Sequence, residues 1–300
     1  VSDPKNEIKM RILLFISTLL CNLNLCLGQT PELKKEIEII VGGKDLKLGF
    51  ALYDFSTGKS ISINGNDKYP MQSVFKFPIG VALLDCVSRG EFALSDSVTL
   101  TKADLLPDLW SPIRERWPEG VRLPLVSVMT YMVAHSDNSA TDFLIHKIGG
   151  VARIQDIVNR LGAKKINIRN IEAEIQGSWS VQFDNWTTPN AMVDFLRLMN
   201  DGKLLDKANT AVLWEIMASA SSGSVNRLVS KTVTFARKTG YSGVNSQGII
   251  AAQNDVGIIE FEDGRRVAYA IFLTDSTLGT DAGYDILAQI GKAIWKAYER

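Results

Sequence analysis

The chain has 300 residues, of which 46% are hydrophobic and 22% are charged, the composition of an ordinary globular protein with ample material for a core. Lysine plus arginine and aspartate plus glutamate number 33 each, and no long run of one sign occurs, which argues against nucleic acid or a membrane surface as the partner. We therefore expect the partner to be a small molecule.

The first 28 residues have the pattern of a secretory signal peptide. Lys9 and Arg11 precede the apolar run ILLFISTLL, and Gly28 is a suitable small residue before a cleavage point. The apolar run is about half of the ~20 residues that a membrane-spanning helix needs. We therefore predict an exported protein that keeps no membrane anchor after cleavage.

Cysteine and histidine are scarce. Cys21 and Cys26 fall inside the predicted signal, so the mature chain would keep only Cys86 and would have no internal disulfide. The two histidines, His135 and His146, are far apart, and no cysteine or histidine cluster has the spacing of metal ligands. We therefore predict no metal site and no disulfide framework.

The mature chain opens with a helix and a hairpin. Leu33, Ile37, Ile40 and Val41 share one helical face, and Gly42-Gly43 would end that helix. The segments LKLGFALYDF and KSISING alternate in polarity on either side of a turn at residues 56–58, which predicts two antiparallel strands.

Helical patterning with intervening loops follows from about residue 73 to about residue 220, and β patterning there is largely absent. Three further strands follow, the last two joined by a tight turn at Asp263-Gly264. A final helix carries Ile286, Ile290 and Ile294 on one stripe. This order predicts a five-stranded antiparallel sheet assembled from both ends of the chain, with the terminal helices on one face and a helical second lobe.

The segment MQSVFKFPIG, residues 71–80, places a serine and a lysine three residues apart in apolar surroundings. If a helix begins near Ser73, the side chains of Ser73 and Lys76 project from the same face of its first turn. A lysine in an apolar pocket can accept the proton that the serine must release to become a nucleophile. S-x-x-K is expected about once by chance in such a chain, so the pair needs further support.

Two tripeptides supply that support: S-D-N at residues 136–138 in a predicted loop, and K-T-G at residues 238–240 at the end of a predicted strand. The three motifs fit an acyl-transfer site in which Ser73 attacks a carbonyl, Ser136 relays a proton to the leaving nitrogen and Lys238 supplies a fixed positive charge.

The remaining motif residues would bind the substrate. The side chain of Asn138 would hold an amide, and the strand edge at Thr239 and Gly240 would pair with an extended substrate. The backbone N–H groups of Ser73 and Tyr241 would form an oxyanion hole.

S-x-x-K, S-D-N and K-T-G in this order resemble the motifs of the class A serine β-lactamases and the penicillin-binding proteins. The resemblance covers nearly the whole mature chain. It implies an α/β (α+β) fold of two lobes, with residues 29–71 and 219–300 in the α/β lobe, residues 72–218 in the helical lobe and the active site between them. It also implies a periplasmic monomer that needs no cofactor.

A loop glutamate that activates water separates the class A enzymes from the penicillin-binding proteins. Glu172, in NIEAEIQ, matches that glutamate, and Glu174 is its nearest rival. Gln176 occupies a position where class A enzymes commonly have asparagine. Asn170 and Asn185 stand where an Arg–Asp ion pair usually clamps the loop, so we expect that clamp to be missing. This pattern is similar to the extended-spectrum subgroup typified by the PER and VEB enzymes.

Other substrate contacts are less determined by the motifs. Gln247 stands where relatives often carry an arginine that binds the substrate carboxylate. Arg227 is the candidate replacement for that arginine, and the alternative that Arg227 does not bind substrate stays open. Trp110 matches an aromatic residue at the mouth of the cleft, although a core tryptophan fits equally well. Ser242 would line the substrate site, and since neither Gln72 nor Ser242 is cysteine, the bridge of class A carbapenemases is not expected.

The resemblance therefore predicts a β-lactamase that forms an acyl-enzyme on Ser73 and releases it with water activated by Glu172, acting on penicillins and cephalosporins with cephalosporins favoured. The alternatives are a cell-wall DD-peptidase and a penicillin-sensing domain, both acylated without fast turnover. Whether Lys76 or Glu172 activates Ser73 for acylation stays open.

Overall fold

The computed structural model of the protein describes residues 31–299, so the predicted signal peptide, with Cys21 and Cys26, lies outside the described residues. In chain order the strands are β1 (Lys47–Asp54), β2 (Ser60–Ile63), β3 (Tyr69–Pro70), β4 (Ser97–Thr101), β5 (Gly120–Pro124), β6 (Ile166–Asn167), β7 (Trp186–Thr187), β8 (Thr234–Tyr241), β9 (Gln253–Glu260) and β10 (Arg266–Thr274).

The helices of the same part of the chain are α1 (31–41), α2 (Lys76–Ser88), α3 (Pro112–Arg116), α4 (Leu125–Val133), α5 (Asn138–Ile148), α6 (Val151–Arg160), α7 (Glu172–Gly177), α8 (Pro189–Asn200), α9 (Lys207–Ala218) and α10 (Thr280–Tyr298). Short 3-10 turns at Gln72–Phe75, Lys102–Asp104 and Val181–Asp184 connect them.

The central sheet has five antiparallel strands in the order β2-β1-β10-β9-β8, which confirms the predicted sheet. The hairpins predicted at residues 56–58 and at Asp263-Gly264 are both present, and Gly264 supplies the positive φ of +80° that its turn requires. Among residues 31–299, strand β8 pairs only with β9, so its outer edge offers unpaired backbone groups to other partners.

The two faces of the sheet differ in side-chain size. Leu48, Phe50 and Leu52 of β1 point to one face, where they share a core with α1 and with the isoleucine stripe of α10. Gly49 and Ala51 point to the other face, where a methyl group on Gly49 would lie 2.9 Å from the ring of Pro189, the first residue of α8. The small residues therefore let α8 lie close against the sheet.

The region between the two sheet-forming segments is a second layer with its own core. Helix α2 runs through it, with eleven consecutive buried residues beginning at Lys76, and packs against α4, α5, α6 and α9. The expectation that strands are largely absent from this region was wrong in part, because β4 pairs with β5, and β3, β7 and β6 form a small three-stranded sheet. Segments of two to five residues give too little alternation to reveal these strands in the sequence.

Cys86 lies on α2, where it is free and buried, and burial raises the pKa of its thiol. Within residues 31–299, no helix combines the length and the apolar character needed to cross a bilayer.

Candidate active site

Ser73 lies in the 3-10 turn Gln72–Phe75, directly before α2 begins at Lys76. Gln72 takes a left-handed conformation with φ of +45°, and its side chain donates to Gln182 Oε1 at 2.7 Å. The buried side chain of Asn254, on β9, donates to the carbonyl oxygen of Pro70 at 2.8 Å. The serine is thus presented by a strained turn that contacts the sheet on one side and the 170–185 loop on the other.

Strand β8 approaches this turn closely because it carries a glycine there. A methyl group on Gly240 would lie 2.5 Å from the carbonyl oxygen of Met71 and 3.2 Å from the backbone nitrogen of Ser73. Any larger residue at this position would push the strand away from Ser73. The K-T-G motif therefore lies beside the S-x-x-K motif, as the sequence predicted.

Lys76 is fully buried and makes close contacts with three acceptors. Its Nζ donates to Asn138 Oδ1 at 2.5 Å and to the carbonyl oxygen of Ser136 at 2.8 Å. It also forms an ion pair with Glu172 Oε1 at 2.8 Å. Ser73 Oγ donates to the same glutamate oxygen at 3.4 Å, so one carboxylate oxygen contacts both Ser73 and Lys76.

The S-D-N motif occupies the connection between α4 and α5, as predicted. Ser136 has a φ of +58°, which is unusual for a residue with a side chain. Asp137 holds the connection in place: it caps α5 through Ala140 N at 2.8 Å and accepts from Ile113 N at 2.8 Å. Burial raises the pKa of Asp137, and these backbone donors oppose that rise. The motif's aspartate is therefore a structural anchor for its two neighbours.

Ser136 lies between the two buried lysines. Its Oγ accepts from Lys238 Nζ at 3.0 Å and from Lys76 Nζ at 3.4 Å. Lys238 Nζ also donates to the carbonyl oxygen of Thr239, at 2.9 Å. Burial lowers the pKa of Lys238 well below its usual value, and the positive charge of Lys76 lowers it further.

Glu172 is the first residue of α7, and its side chain is 1% exposed. Asp142, on α5, fixes it by accepting from the backbone nitrogens of Glu172 at 2.7 Å and Ala173 at 2.9 Å. Gln176 Nε2 donates to Glu172 Oε2 at 3.3 Å. The rival Glu174 is exposed and accepts from Ile171 N at 3.0 Å, outside the lysine and serine cluster.

The loop that carries Glu172 is clamped without an ion pair between the two positions singled out in the sequence. Asn185 is buried; its Oδ1 accepts from Arg169 N at 2.7 Å and Asn170 N at 3.0 Å, and its Nδ2 donates to the carbonyl oxygen of Asn170 at 2.9 Å. Positions 170 and 185 therefore carry no Arg–Asp pair, as predicted, and are instead joined by hydrogen bonds of the neutral Asn185 side chain, which we call the neutral clamp.

A cleft of about 730 Å³ opens above Ser73. Its lining includes the predicted binding residues Asn138, Gln176, Thr239, Gly240, Tyr241, Ser242 and Trp110. Trp110 is 59% exposed and donates from Nε1 to the carbonyl oxygen of His135 at 3.4 Å, so it lies at the mouth of the cleft and not in the core.

Arg227 is not brought to this cleft. Its Nη2 lies 3.1 Å from Asp285 Oδ1 on α10, both side chains are largely exposed, and it is absent from the residues that line the cleft. The segment after Ser224 turns toward α10, which carries the guanidinium away from β8.

Several positioning residues were missed in the sequence: Asp142, Asn254 and the buried Gln72–Gln182 pair. Asp142 had a usable signal, because it lies four residues after Asn138 and so shares its helical face. The other contacts join distant segments through single amides, and no local pattern marks them. Within the described residues, no group of three or more His, Cys, Asp or Glu side chains is arranged to hold a metal ion.

Comparisons with known proteins agree with this geometry. A profile of the β-lactamase enzyme family matches residues 32–298. β-Lactamase VEB-1 of Pseudomonas aeruginosa is 34% identical over 297 residues, covering 97% of this chain and 99% of VEB-1. Extended-spectrum β-lactamase PER-1 of the same organism is 32% identical over 272 residues, covering 90% of this chain and 88% of PER-1.

Solved structures give the same result. The crystal structure of TLA-1 extended-spectrum β-lactamase superposes with a TM-score of 0.87 at 33% identity, covering 90% of this chain and 99% of that chain. The similarity confirms the predicted two-lobe fold and the resemblance that the motifs indicated.

Proposed function

The chain belongs to the β-lactamase enzyme family, and from this premise we propose that it hydrolyses the β-lactam amide of penicillins and cephalosporins through an ester on Ser73. The observation that carries the proposal is the single carboxylate oxygen of Glu172 that contacts both Ser73 Oγ and Lys76 Nζ. Nucleophile, proton acceptor and hydrolytic base are thereby contiguous.

In acylation, Ser73 Oγ bonds to the lactam carbonyl carbon and the lactam C–N bond breaks. The serine proton passes to Glu172, or through it to Lys76, since both contact the same site. Ser136 donates its proton to the leaving nitrogen and is reprotonated by Lys76, which recovers a proton from Glu172 across their 2.8 Å contact, so that the carboxylate is ionised again before deacylation. The backbone N–H groups of Ser73 and Tyr241 would stabilise the oxyanion, supported by the close approach of Gly240 to Ser73.

In deacylation, Glu172 removes a proton from a water molecule that attacks the ester, and the proton returns to Ser73 Oγ as the acid product leaves. Gln176, which donates to Glu172 Oε2, is well placed to orient that water. Asp142 keeps the carboxylate in place by accepting from the backbone N–H groups of Glu172 and Ala173, the first two residues of α7.

Lys238 is proposed to bind the substrate carboxylate. Its two hydrogen-bond acceptors, Ser136 Oγ and the carbonyl oxygen of Thr239, are neutral, and burial lowers its pKa well below the usual value. An anionic substrate would supply the missing negative charge in a water-poor site. The open edge of β8 at Thr239 and Tyr241 would pair with the substrate's amide side chain, opposite Asn138.

We also propose a preference for cephalosporins, export to the periplasm, action as a monomer and a role in antibiotic resistance. The preference is supported by the extended-spectrum relatives PER-1 and TLA-1 and by the neutral clamp of the Glu172 loop. The export is supported by the sequence of residues 1–28.

The test replaces Glu172 with Gln and uses Glu174→Gln, two residues away on the same helix, as the matched control. We expect Glu172→Gln to lose roughly 10³-fold in steady-state turnover of nitrocefin and to accumulate an acyl-enzyme visible by mass spectrometry. Glu174→Gln should turn over within about threefold of the parent. The acylation rate of Glu172→Gln also identifies the base: retention within about tenfold assigns Lys76, and a loss near 10³-fold assigns Glu172.

The outcome separates the proposal from its rivals. A DD-peptidase or a penicillin sensor would trap nitrocefin on Ser73 in the parent protein itself, with turnover slower than minutes. Rapid steady-state hydrolysis by Glu172→Gln would remove the assigned role of Glu172.

A further inference from the structure

A buried ion pair lies beneath the segment that joins α9 to β8. Arg237 of β8 is 2% exposed and Asp255 of β9 is 0% exposed, and Arg237 Nη1 lies 3.8 Å from Asp255 Oδ2. Tyr269 donates to Asp255 Oδ1 at 2.8 Å. Asp255 Oδ2 and Arg237 Nε are buried without a hydrogen-bond partner in the described part of the chain, so the pair is incompletely satisfied.

A buried ion pair with unsatisfied atoms is not expected to add much to the stability of the fold. Buried ion pairs with unsatisfied atoms are often no more stabilising than apolar residues of the same volume. Burial raises the pKa of Asp255 to about 6, while Arg237 and Tyr269 lower it. The contacts of the pair with the neighbouring segment give it a role beyond core packing.

The pair holds the segment at residues 221–227 against the sheet. Arg237 Nη1 donates to Asn226 Oδ1 at 3.0 Å, and the backbone N–H of Val225 faces the Asp255 carboxylate and lowers its pKa. On its other side the segment is held by α10, where a methyl group on Gly291 would overlap the carbonyl oxygen of Val225. The segment is therefore fixed from both sides.

Gly223 makes the closest approach to the pair. It has a φ of +118°, and a methyl group there would lie 2.9 Å from both Asp255 Oδ2 and Thr239 Cγ2 and 3.0 Å from Arg237 Cζ. Only a residue without a side chain fits over the pair in this conformation.

The same segment forms one wall of the cleft. Ser221 and Ser222 line it, and Ser222 Oγ is 3.1 Å from Thr239 Oγ1 of the K-T-G motif. From this continuity we propose that Arg237 and Asp255 are positioning residues, which set substrate affinity by fixing the Ser221–Ser222 wall against the substrate-binding edge of β8. The proposal rests on the proposed function for its substrate, and on the contacts above for its geometry.

The first experiment measures KM and kcat for a cephalosporin with a bulky acyl side chain and for benzylpenicillin. We expect Arg237→Gln and Asp255→Asn each to raise KM roughly tenfold for the cephalosporin while kcat stays within about threefold, since neither side chain hydrogen-bonds to a reacting group. The double variant should be no worse than the poorer single variant, because both changes release the same segment. Lys102→Gln, which breaks an exposed pair with Glu119, is the control and should leave KM unchanged.

The second experiment uses a steric change. Gly223→Ala should displace the segment and raise KM to a similar degree, whereas Gly150→Ala should not. Gly150 also has a positive φ, +92°, but a methyl group there meets nothing within 4 Å, so it controls for backbone strain. Compared with the parent, Arg237→Gln and Asp255→Asn should each show amide hydrogen exchange that is about tenfold faster, and the increase should be confined to residues 221–227.

Two results would overturn the proposal: an unchanged KM in both single variants, or a loss of kcat at constant KM with faster exchange spread across β8 and β9, which would mark a purely structural pair. Failure of the proposed function would look different. The parent would then not hydrolyse either substrate, and the confined exchange response would still decide whether the pair anchors the segment.

Discussion

Two lysines enter the site from opposite sides, and both are almost completely buried, but they are compensated differently. Lys76, on the helical side, has a carboxylate 2.8 Å away and three further oxygen acceptors. Lys238, on the sheet side, donates to the hydroxyl of Ser136 and to a carbonyl oxygen. Lys76 therefore has an anionic partner inside the protein, whereas the hydrogen-bond acceptors of Lys238 are neutral.

The difference teaches how one cleft can separate chemistry from binding. A cation that is already paired exchanges protons with its partners at little electrostatic cost. A cation with only neutral partners is costly in the free protein, and an anionic ligand relieves that cost. Substitution of each lysine by a side chain of similar size should therefore give opposite effects on stability.

The largest effect is expected for Lys76→Met. Glu172 would lose its buried counter-charge, and we expect the free energy of unfolding at neutral pH to fall by about 3 kcal/mol, with acylation slowed by about 10³-fold or more. Urea denaturation and stopped-flow acylation measure the two effects. A variant as stable as the parent would contradict the view that the pair is internally balanced.

Lys238→Met should instead leave the protein equally stable or more stable by about 1 to 2 kcal/mol, because it removes a poorly compensated buried charge. We expect KM for carboxylate-bearing β-lactams to rise about a hundredfold. Esterifying the substrate carboxylate in the parent should cause a similar rise and should cause little additional change in the variant. A marked loss of stability would break the comparison between the two lysines.

Asp142, which accepts from the backbone N–H groups of Glu172 and Ala173, should make the stability of the protein depend on pH. Burial raises the pKa of Asp142 from 3.8 to about 6, so between about pH 4 and pH 6 the folded protein binds a proton that the unfolded chain has released. The contribution of Asp142 to the free energy of unfolding therefore falls as pH rises through this window.

Asp142→Asn should remove this component. The difference in unfolding free energy between parent and variant, measured by urea denaturation from pH 4 to pH 7, should change with pH in that window and level off above it. Because asparagine can accept from only one of the two backbone donors without placing its NH₂ group against the other, turnover should also fall several-fold. A pH-independent difference would exclude a raised pKa for Asp142.

The smallest expected effect tests the neutral clamp. Asn185→Ala leaves two backbone N–H groups and one carbonyl without their partners and should cost about 2 kcal/mol, equally at low and high salt. Asn170→Ala is the matched control, since its side chain makes only 3.3 Å contacts at the loop surface and should cost less than about 1 kcal/mol. A salt-dependent cost for Asn185→Ala would indicate a charged contribution to the clamp.

The regular elements and the motifs could be predicted because they have local signatures. The alternation around Phe50 and the isoleucine stripe at Ile286 depend on sequence spacing alone, and spacing decides which side chains share a face. The three catalytic motifs were identified by resemblance, and the fold then placed them around one hydroxyl. The K-T-G glycine has a physical reason that only the structure shows: the backbone of the nucleophile turn occupies the space of a side chain.

The remaining features depend on contacts between distant segments. Asn170 and Asn185 were expected to leave the loop without its ion-pair clamp, but sequence alone could not show that Asn185 binds the backbone of its partner position. Arg227 was a reasonable candidate for the substrate carboxylate by its charge and position, yet its partner is Asp285, 58 positions along the chain. Charge predicts what a side chain can bind, and tertiary packing decides which partner it meets.

The buried thiol of Cys86 gives the molecule a built-in reporter. Cys86 lies on α2, as does Lys76, and because it is buried a thiol reagent can reach it only when α2 separates from the helices packed against it. In a variant that lacks residues 1–28, and with them Cys21 and Cys26, the rate of alkylation of Cys86 would measure how often α2 separates from its neighbours, with no added dye. Ligands that tighten the site would be detectable as slower labelling, even if they are never turned over.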